Sequence, residues 1–471
     1  MKPVSSWNFT PYTPLDRPER AVDPYICRVA PAQNAITFDF IDNGASSKAT
    51  HTLFYRERNA DADFTALPLE NDDCGHIVGL RFHTDYEFYV VRDCDGASSE
   101  VRLARTGAVA GRVVNYLHPE DDAYAFSGRY LCSPCLCRLP SGRLLSSMDV
   151  FEGGRPQNLT LLFYSDDNGE TWHYLTELFP CFWGQMFVRG ERLYMLAVSD
   201  EYGDLLIGAS DDEGKSWTMP TVLYRGAASP HERGLHRAPM RIHEAYGRLW
   251  TDVEYGSWEK HEMNNAVLSA PADCPDYTDP SVWCMTDFWR HSAFAEHPVF
   301  AETAAPGETV PGIIGGIEGN LITAPDGTLY DFLRYAQKKC LLLRVDPDNP
   351  EDQPVYARLV DIGINPSKFD LQWDAESGYY YALCSRALDE PATNRNLLSL
   401  FRSPDLMNWE CVRDIIDAKS MDPAMTGFQY ISFLIEGNDI LFLSRTAWNK
   451  PHNFHDSNYQ TFHRIENFRN L

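Results

Sequence analysis

Basic residues are scarce in this sequence: 41 Lys and Arg stand against 67 Asp and Glu, a formal net charge of −26 over 471 residues. A surface so negative repels phosphate backbones and anionic membranes, which excludes nucleic acid as an expected partner. Long hydrophobic runs are missing as well. No stretch of about 18 apolar residues occurs, so no membrane span is expected. The N-terminal "MKPVSSWNFTPYTPLDRPER" lacks the apolar core of a signal peptide, and a soluble, cytoplasmic protein is the expectation. Helical periodicity is almost absent, since hardly any stretch keeps an apolar helical repeat for about three turns. The two-plus-two ligand spacing of a zinc site is absent too. Cys132, Cys135 and Cys137 cluster among 12 Cys without the paired spacing of a zinc site. Cys135 and Cys137 are expected to alternate across a strand, and all the cysteines to be reduced thiols.

What is present is an abundance of short, turn-bounded β-runs, with 30 Gly, 30 Pro and 13% aromatic residues. Residues 24–107 carry "AITFDFID", "HTLFYRER", "GHIVGLRF" and "TDYEFYVVRDC", alternating runs of the kind that build a small β-sandwich. Residues 1–23 form a separate N-terminal segment. From 108 to 471 the runs continue as "LLFYSDD", "RLYMLAVSD", "DLLIGASDD", "LYDFLRYA", "NLLSLFRSPD" and "DILFLSRTAW". The predicted class is therefore all-β.

One turn recurs. "SDDNGETW" begins at Ser165 and "SDDEGKSW" at Ser210, with a weaker copy, "SPDLMNW", at Ser403 and a stretched one running from Ser269 to Trp283. In each strong copy a Gly, Gly169 or Gly214, can take the positive φ of a tight turn. The Asp side chains can cap turn amides, and the Trp can bury against the hairpin. Ser165 to Ser210 spans 45 residues and Ser210 to Ser269 spans 59, intervals that suit propeller blades of four short strands. Six or seven blades fit the length, with seven preferred.

These turns resemble the Asp-boxes (BNR repeats) of sialidase-like propellers, which implies a structural staple on each blade and no chemistry at the turn itself. The stretch Leu80, Thr84, Tyr86, Phe88, Val90 resembles the tyrosine-corner strand of fibronectin type III domains. Nearly all of residues 111–471 resembles the subgroup holding rhamnosyl-glucuronate lyases and α-L-rhamnosidases, through "SPCLCRLPSGRLLSSMDVF", "WGQMFVRGERLYML", "LHRAPMRIHEAYGRLW", "IEGNLITAPDGTLYDFLR" and "GFQYISFLIEGNDILFLSRTAWN". The resemblance implies a carbohydrate-active enzyme that cleaves a terminal sugar next to an acidic sugar, or itself acidic, by hydrolysis or β-elimination. There are departures. Met148 stands where that subgroup commonly has the His of Ser-His-Asp, Ser432 stands where it has Asp, and Cys132 stands where sialidases have a first-blade Arg. Met cannot exchange a proton at neutral pH. An exo-sialidase and a catalytically silent glycan-binding propeller are thus the alternatives.

An acidic-sugar site needs cations, proton donors or acceptors, and aromatic walls. His236, Glu254, Glu318 and Tyr430 are the candidate catalytic residues: a His followed by a strand-breaking Pro, a pair of acids, and a phenol able to act as proton donor or nucleophile. Tyr255 is a second phenol of this kind. Arg237, Arg334, Arg395, Gln429, Arg445 and Trp183 are the candidate substrate contacts, the Arg fork being the natural clamp for a carboxylate. No cofactor is required. The oxygen donors of "HDSNYQTFHRIENFR", with His455, Asp456, Asn458 and His463, leave room for a structural calcium near the propeller axis, in a segment read as the strand completing the first blade. The expected partner is an acidic oligosaccharide.

Overall fold

Apolar and polar residues alternate along the first described strands, and in the computed structural model those strands pair into two small sheets. One holds Tyr25–Pro31, Ala35–Ile41 and Cys74–Val78; the other holds Thr65–Pro68, His51–Glu57, Asp85–Arg92 and Arg102–Arg105. The structure describes residues 6–8, 22–45, 49–70, 73–227, 232–290, 316–336, 338–388 and 394–471, so most of the segment expected over 1–23 lies outside the described residues. Phe38, Phe40, Leu53, Phe88 and Val90 fill the space between the two sheets. The Tyr86 hydroxyl accepts the Arg81 amide proton at 2.9 Å, tying the strand to the bend before it.

Six antiparallel sheets follow, spanning 130–178, 182–224, 234–285, 317–361, 370–417 and 427–465, five with four strands and the third with five. Each of these blades packs its apolar faces on its neighbours. Clusters such as Leu193, Leu145 and Cys135 between the first and second, or Phe369, Phe401 and Phe332 between the fourth and fifth, form the core. Of the two blade numbers open from the sequence, six is the number of such sheets among the described residues. A seventh has no counterpart there: the 59-residue interval from Ser210 to Ser269 runs from the second blade into the third and takes in the third blade's additional short strand, His243–Ala245, and its ten-residue strand Arg248–Ser257.

The ring closes differently from the expectation. Tyr459–Ile465 pairs with Asp439–Ala447 on one edge and with Arg112–Tyr116 on the other, so it belongs to the last blade and leaves the first intact. Arg112–Tyr116, the first strand after the sandwich, is the outermost strand of the sixth blade.

The repeated turns are built as their sequence suggests. Ser165 Oγ donates to Asp167 Oδ1 at 2.8 Å and accepts from the Gly169 amide at 2.8 Å, while Asp167 caps the Thr171 amide at 2.9 Å. The second copy repeats this at Ser210, Asp212, Gly214 and Ser216. Gly169 and Gly214 have φ of 93° and 86°, and Trp172 and Trp217 are buried with their indole N–H on the glycine carbonyls. At the N-terminus Trp7 wedges between the first two blades, its ring over Gly208, where an added Cβ would come within 2.5 Å of it.

The sandwich joins the propeller through buried polar contacts. Arg102 pairs with Asp121 at 2.8 Å, both side chains almost fully buried, and Tyr25 donates to Glu177 at 2.6 Å. Tyr116 and Tyr459 of the last blade complete the sandwich core. Cys135 and Cys137 share one core cluster against the second blade; the expectation of alternate faces fails because residues two apart on a strand point the same way. Every described cysteine is a free thiol. No helix among the described residues is long and apolar enough to cross a membrane.

Candidate functional site

The repeated turns and the site occupy opposite ends of the blades. The turns join third and fourth strands at one end; at the other, the connections between second and third strands carry Gly153, Gln157, Glu201, Trp258, Arg395 and His455 to a shared cavity. The cavity has a volume of about 490 Å³. Its walls include Phe151, Trp183, His236, Glu318, Arg334, Tyr430 and Arg445.

Three inner strands deliver side chains into it by the same device. Phe182–Arg189, Ile317–Thr323 and Gly427–Glu436 each slip register against their neighbour, between Phe182 and Gln185, Ile317 and Asn320, and Gln429 and Ser432. One residue of each bulge takes a left-handed conformation: Trp183 at φ 51°, Glu318 at 57° and Tyr430 at 53°. All three line the cavity. A bulge bends a strand and re-aims a side chain, and left-handed non-glycine residues cost about 1–2 kcal/mol each, so the fold holds this strain where the three side chains meet. The amides a bulge frees from the ladder need acceptors. Asp149 of the first blade takes those of Trp183 and Gly184, Glu254 of the third takes that of Glu318, and Asp252 takes that of Gly319 at 2.8 Å.

These supporting acids are dry. Burial lifts Asp149 to about 7 and Glu254 to about 8, and raises Asp252 and Asp331 well above the usual carboxylate range. Glu254 also meets His236 Nδ1 at 3.0 Å. The imidazole is enclosed by Trp183 and Trp258, with ring centroids at 4.4 and 6.0 Å. Burial pulls His236 down to about 4, so it is neutral at neutral pH.

Around Tyr430 the cavity is cationic. The guanidinium carbons of Arg334, Arg395 and Arg445 lie 6.0, 5.7 and 4.7 Å from its ring centroid. Arg334 Nη1 sits 3.0 Å from Glu318 Oε2 and 3.4 Å from the Tyr430 hydroxyl. Arg395 donates to Gln429 Oε1, while Arg445 donates to the His455 carbonyl and approaches Cys132 Sγ at 3.6 Å. Neither Arg395 nor Arg445 forms an ion pair with a carboxylate among the described residues. Burial, and behind it the like charges of Arg334 and Arg445, pull Arg395 down to about 10, still charged at neutral pH.

The structure thus gathers His236, Glu318, Tyr430, Arg334, Arg395, Arg445 and Trp183 in one cavity. Three expected site residues stand behind it. Glu254 is held by His236 and the Glu318 amide; Arg237 is fully buried on the Leu196 carbonyl and Thr251; Gln429 is spent on Arg395 and the Phe454 carbonyl. Arg237 follows His236 on the chain, and residues side by side on an extended strand face opposite ways. Tyr255, next to Glu254, faces a separate cleft with Arg233 and Phe288 for the same reason. Met148 is buried in the core between the sixth and first blades, and Ser432 accepts the Leu136 amide proton at 3.0 Å; neither lines the cavity. Of the residues considered for a calcium, His455 Nδ1 lies 2.9 Å from Asp456 Oδ1, Asn458 bonds the Trp448 backbone and His463 stacks on Phe442. No group of three or more His, Cys, Asp or Glu placed to hold a metal occurs among the described residues.

The sequence reading missed Glu201, Gln157, Trp258 and Phe151 in the cavity, and Asp149 behind it. The signal for Glu201 was faint: an acid in the polar "SDEYGD" loop after an apolar strand.

No protein-family model and no curated protein matches the chain. Among solved structures, a Hadza microbial sialidase is 12% identical over 94% of each chain, with a TM-score of 0.50. A Penicillium chrysogenum α-L-arabinanase is 12% identical over 77% of this chain and 99% of its own (TM-score 0.48), and a leech intramolecular trans-sialidase 11% identical over 94% and 91% (TM-score 0.48). At such identities the likeness is one of architecture, and the chain has the sialidase-like β-propeller fold with a β-sandwich before it.

Proposed function

We propose that the protein is a glycoside-cleaving enzyme whose cavity takes a carboxylated sugar at the end of a glycan. The carrying observation is the guanidinium cluster around Tyr430, in which only Arg334 has a carboxylate partner among the described residues. Like charges gathered in a half-dry cavity repel one another until an anion joins them. The net charge of −26 attracts no anion from a distance, so a local clamp has to do it. A carboxylate accepting from two guanidinium forks fits that need. Phe151, Trp183 and Trp258 supply apolar faces for a sugar ring.

The Tyr430 hydroxyl and Glu318 share Arg334 Nη1, an arrangement suited to hydrolysis through the phenol. Tyr430 Oη attacks the anomeric carbon, Glu318 takes its proton, and water later releases the sugar. Two substrate types fit the clamp: a sialoside, with the carboxylate on the sugar released, and a rhamnosyl-glucuronate, with it on the neighbour. β-Elimination is the second reading. It is favoured by one observation, the position of His236 in the cavity wall with Nδ1 held by Glu254, which leaves Nε2 to take a proton at C5 of a uronate. Met148 and Ser432, the replacements that suggested a silent glycan-binding protein, sit outside the cavity and lend that reading no support. We further infer that residues 24–107 are a fibronectin type III-like module, given the three-plus-four strands and the Tyr86 bond, that residues 108–471 are the propeller, and that the repeated turns are Asp-boxes.

The test is a panel of sialyl-lactose, rhamnosyl-glucuronate oligosaccharides and aryl glycosides of acidic sugars, followed for released sugar and for the ultraviolet absorbance of a C4–C5 double bond. Release of an acidic sugar, or cleavage beside one, without new absorbance is the expected result. New absorbance would turn the assignment to lyase, and saturable binding without any product would end the enzyme reading.

A further inference from the structure

Among the described residues two carboxyl groups line the cavity, and they are held in opposite ways. Glu318 is paired with Arg334 at 3.0 Å. Glu201 comes from the second blade, in the connection between Arg192–Val198 and Leu205–Ser210, and forms no ion pair among the described residues. Its Oε2 accepts from Gln157 Nε2, a neutral donor carried on the corresponding connection of the first blade. Gln157 at φ 53° and Tyr202 at φ 67° both hold left-handed conformations, so strained backbone fixes each side of this contact. Tyr202 is in turn anchored by the Trp258 amide, which donates to its hydroxyl at 3.0 Å. Tyr430 and the guanidinium cluster come from the fourth, fifth and sixth blades, whereas Glu201 and Gln157 come from the second and first.

We propose that Glu201 is the proton donor of the reaction: its carboxylic acid protonates the glycosidic oxygen as the bond to the anomeric carbon breaks, with Gln157 as its positioning residue. This rests on the hydrolase reading. In the first step the bonding pair stays on the departing oxygen, which takes the Glu201 proton and leaves as an alcohol, while Tyr430 Oη bonds to the anomeric carbon and Glu318 takes the phenolic proton. In the second step the Glu201 carboxylate takes a proton from water as the water oxygen displaces Tyr430 Oη, and Glu318 returns its proton to the phenol. Both acids end as they began. Two carboxyls with divergent environments divide the acid and base roles in this way. Burial raises the Glu201 carboxyl above its usual range, which keeps more of it protonated as neutral pH is approached. The groups facing it are His236 from the third blade, Gln157 from the first, and Asp200 and Tyr202 on its own loop; His236 is itself neutral at about 4.

The experiment compares wild type with Glu201→Gln on the 4-nitrophenyl and the methyl glycoside of whichever acidic sugar the panel releases. A 4-nitrophenolate leaves without protonation and methanol does not. The variant should therefore lose about 10²-fold or more in kcat/KM on the methyl glycoside and far less on the aryl one, because kcat/KM reports departure of the leaving group and not the later hydrolysis, in which Glu201 also serves; the loss is in the range seen for removal of a general acid. The alkaline limb of its kcat/KM profile should also disappear. Glu201→Asp, which keeps the acid and shortens its reach, should restore part of the methyl glycoside rate and the alkaline limb, guarding against a variant that merely misfolds. Equal losses on both leaving groups, or an unchanged alkaline limb in Glu201→Gln, would overturn the assignment while leaving the hydrolase reading intact. A wild type inert on every acidic glycoside would remove the hydrolase reading and this inference together.

Discussion

Arg395 and Arg445 look alike in the sequence and differ in the fold. Arg395 is half-buried with an amide partner; Arg445 is fully buried, spent on the His455 carbonyl, and packed 4.5 Å from the Phe151 ring centroid. Changing either to Met keeps length and removes charge. A desolvated guanidinium–carboxylate contact contributes roughly 1.5–3 kcal/mol, so each variant should weaken an acidic ligand about tenfold to a hundredfold and its neutral methyl ester far less, as read by calorimetry. Equal losses would make the arginines structural. Legibility was uneven at this scale. Residue types that stand out by chemistry, such as Arg334, Arg395, Arg445 and His236 beside apolar strands, were visible in sequence. Arg237 and Gln429 were misplaced because which face a residue takes depends on local register, and the bulges that shift register do so through backbone conformation. The pairs Trp183-Gly184 and Glu318-Gly319 are the one written trace of them, and at Gly319 an added Cβ would lie 1.9 Å from Asp331 Oδ1.

Strands and turns were the most legible scale. The Ser-x-Asp…Gly…Trp turns named their own hydrogen bonds, because a turn is closed by residues within about five positions of each other. Strand order in the last blade was not written there, since pairing of Tyr459–Ile465 with Arg112–Tyr116 joins distant parts of the chain. The strand His173–Leu178 of the first blade yields a prediction. Its Glu177 accepts from Tyr25 of the sandwich, and burial lifts it from 4.5 to about 8. A carboxyl whose folded pKa is raised contributes stability that is fully present below its unfolded value and is lost as pH rises through the folded one. Melting temperature should thus fall from pH 4.5 toward 8. Glu254 and Asp149 act with the same sign, so Glu177→Gln, which keeps an acceptor for Tyr25, should flatten the slope in part without abolishing it. An unchanged slope in a pH series of thermal melts would show that Glu177 is ionised in the folded protein.

At the scale of the whole molecule, the all-β architecture was legible from turn spacing, and the blade number was not, because the interval from the second blade's turn to the third's is lengthened by an extra strand. The junction between sandwich and propeller was hidden altogether, being made of isolated polar residues far apart in sequence. Arg102 and Asp121 are its most buried pair, with side chains 2% and 0% exposed. Arg102→Met leaves the carboxylate without a counter-charge, which costs about 3–5 kcal/mol in buried pairs. Chemical denaturation should register that loss, while the turnover proposed for the folded protein stays unchanged, since neither residue lines the cavity. A loss of turnover with stability intact would mean that the junction reaches the site. The closing strand carries the last consequence. Arg112–Tyr116 and Tyr459–Ile465, far apart in the chain, pair at the edge of the sixth blade, and Tyr116 and Tyr459 both run on into the sandwich core. The seam that closes the ring is therefore riveted to the small domain as well as to its own neighbour, so that the propeller's clasp and the sandwich core share the same two tyrosines.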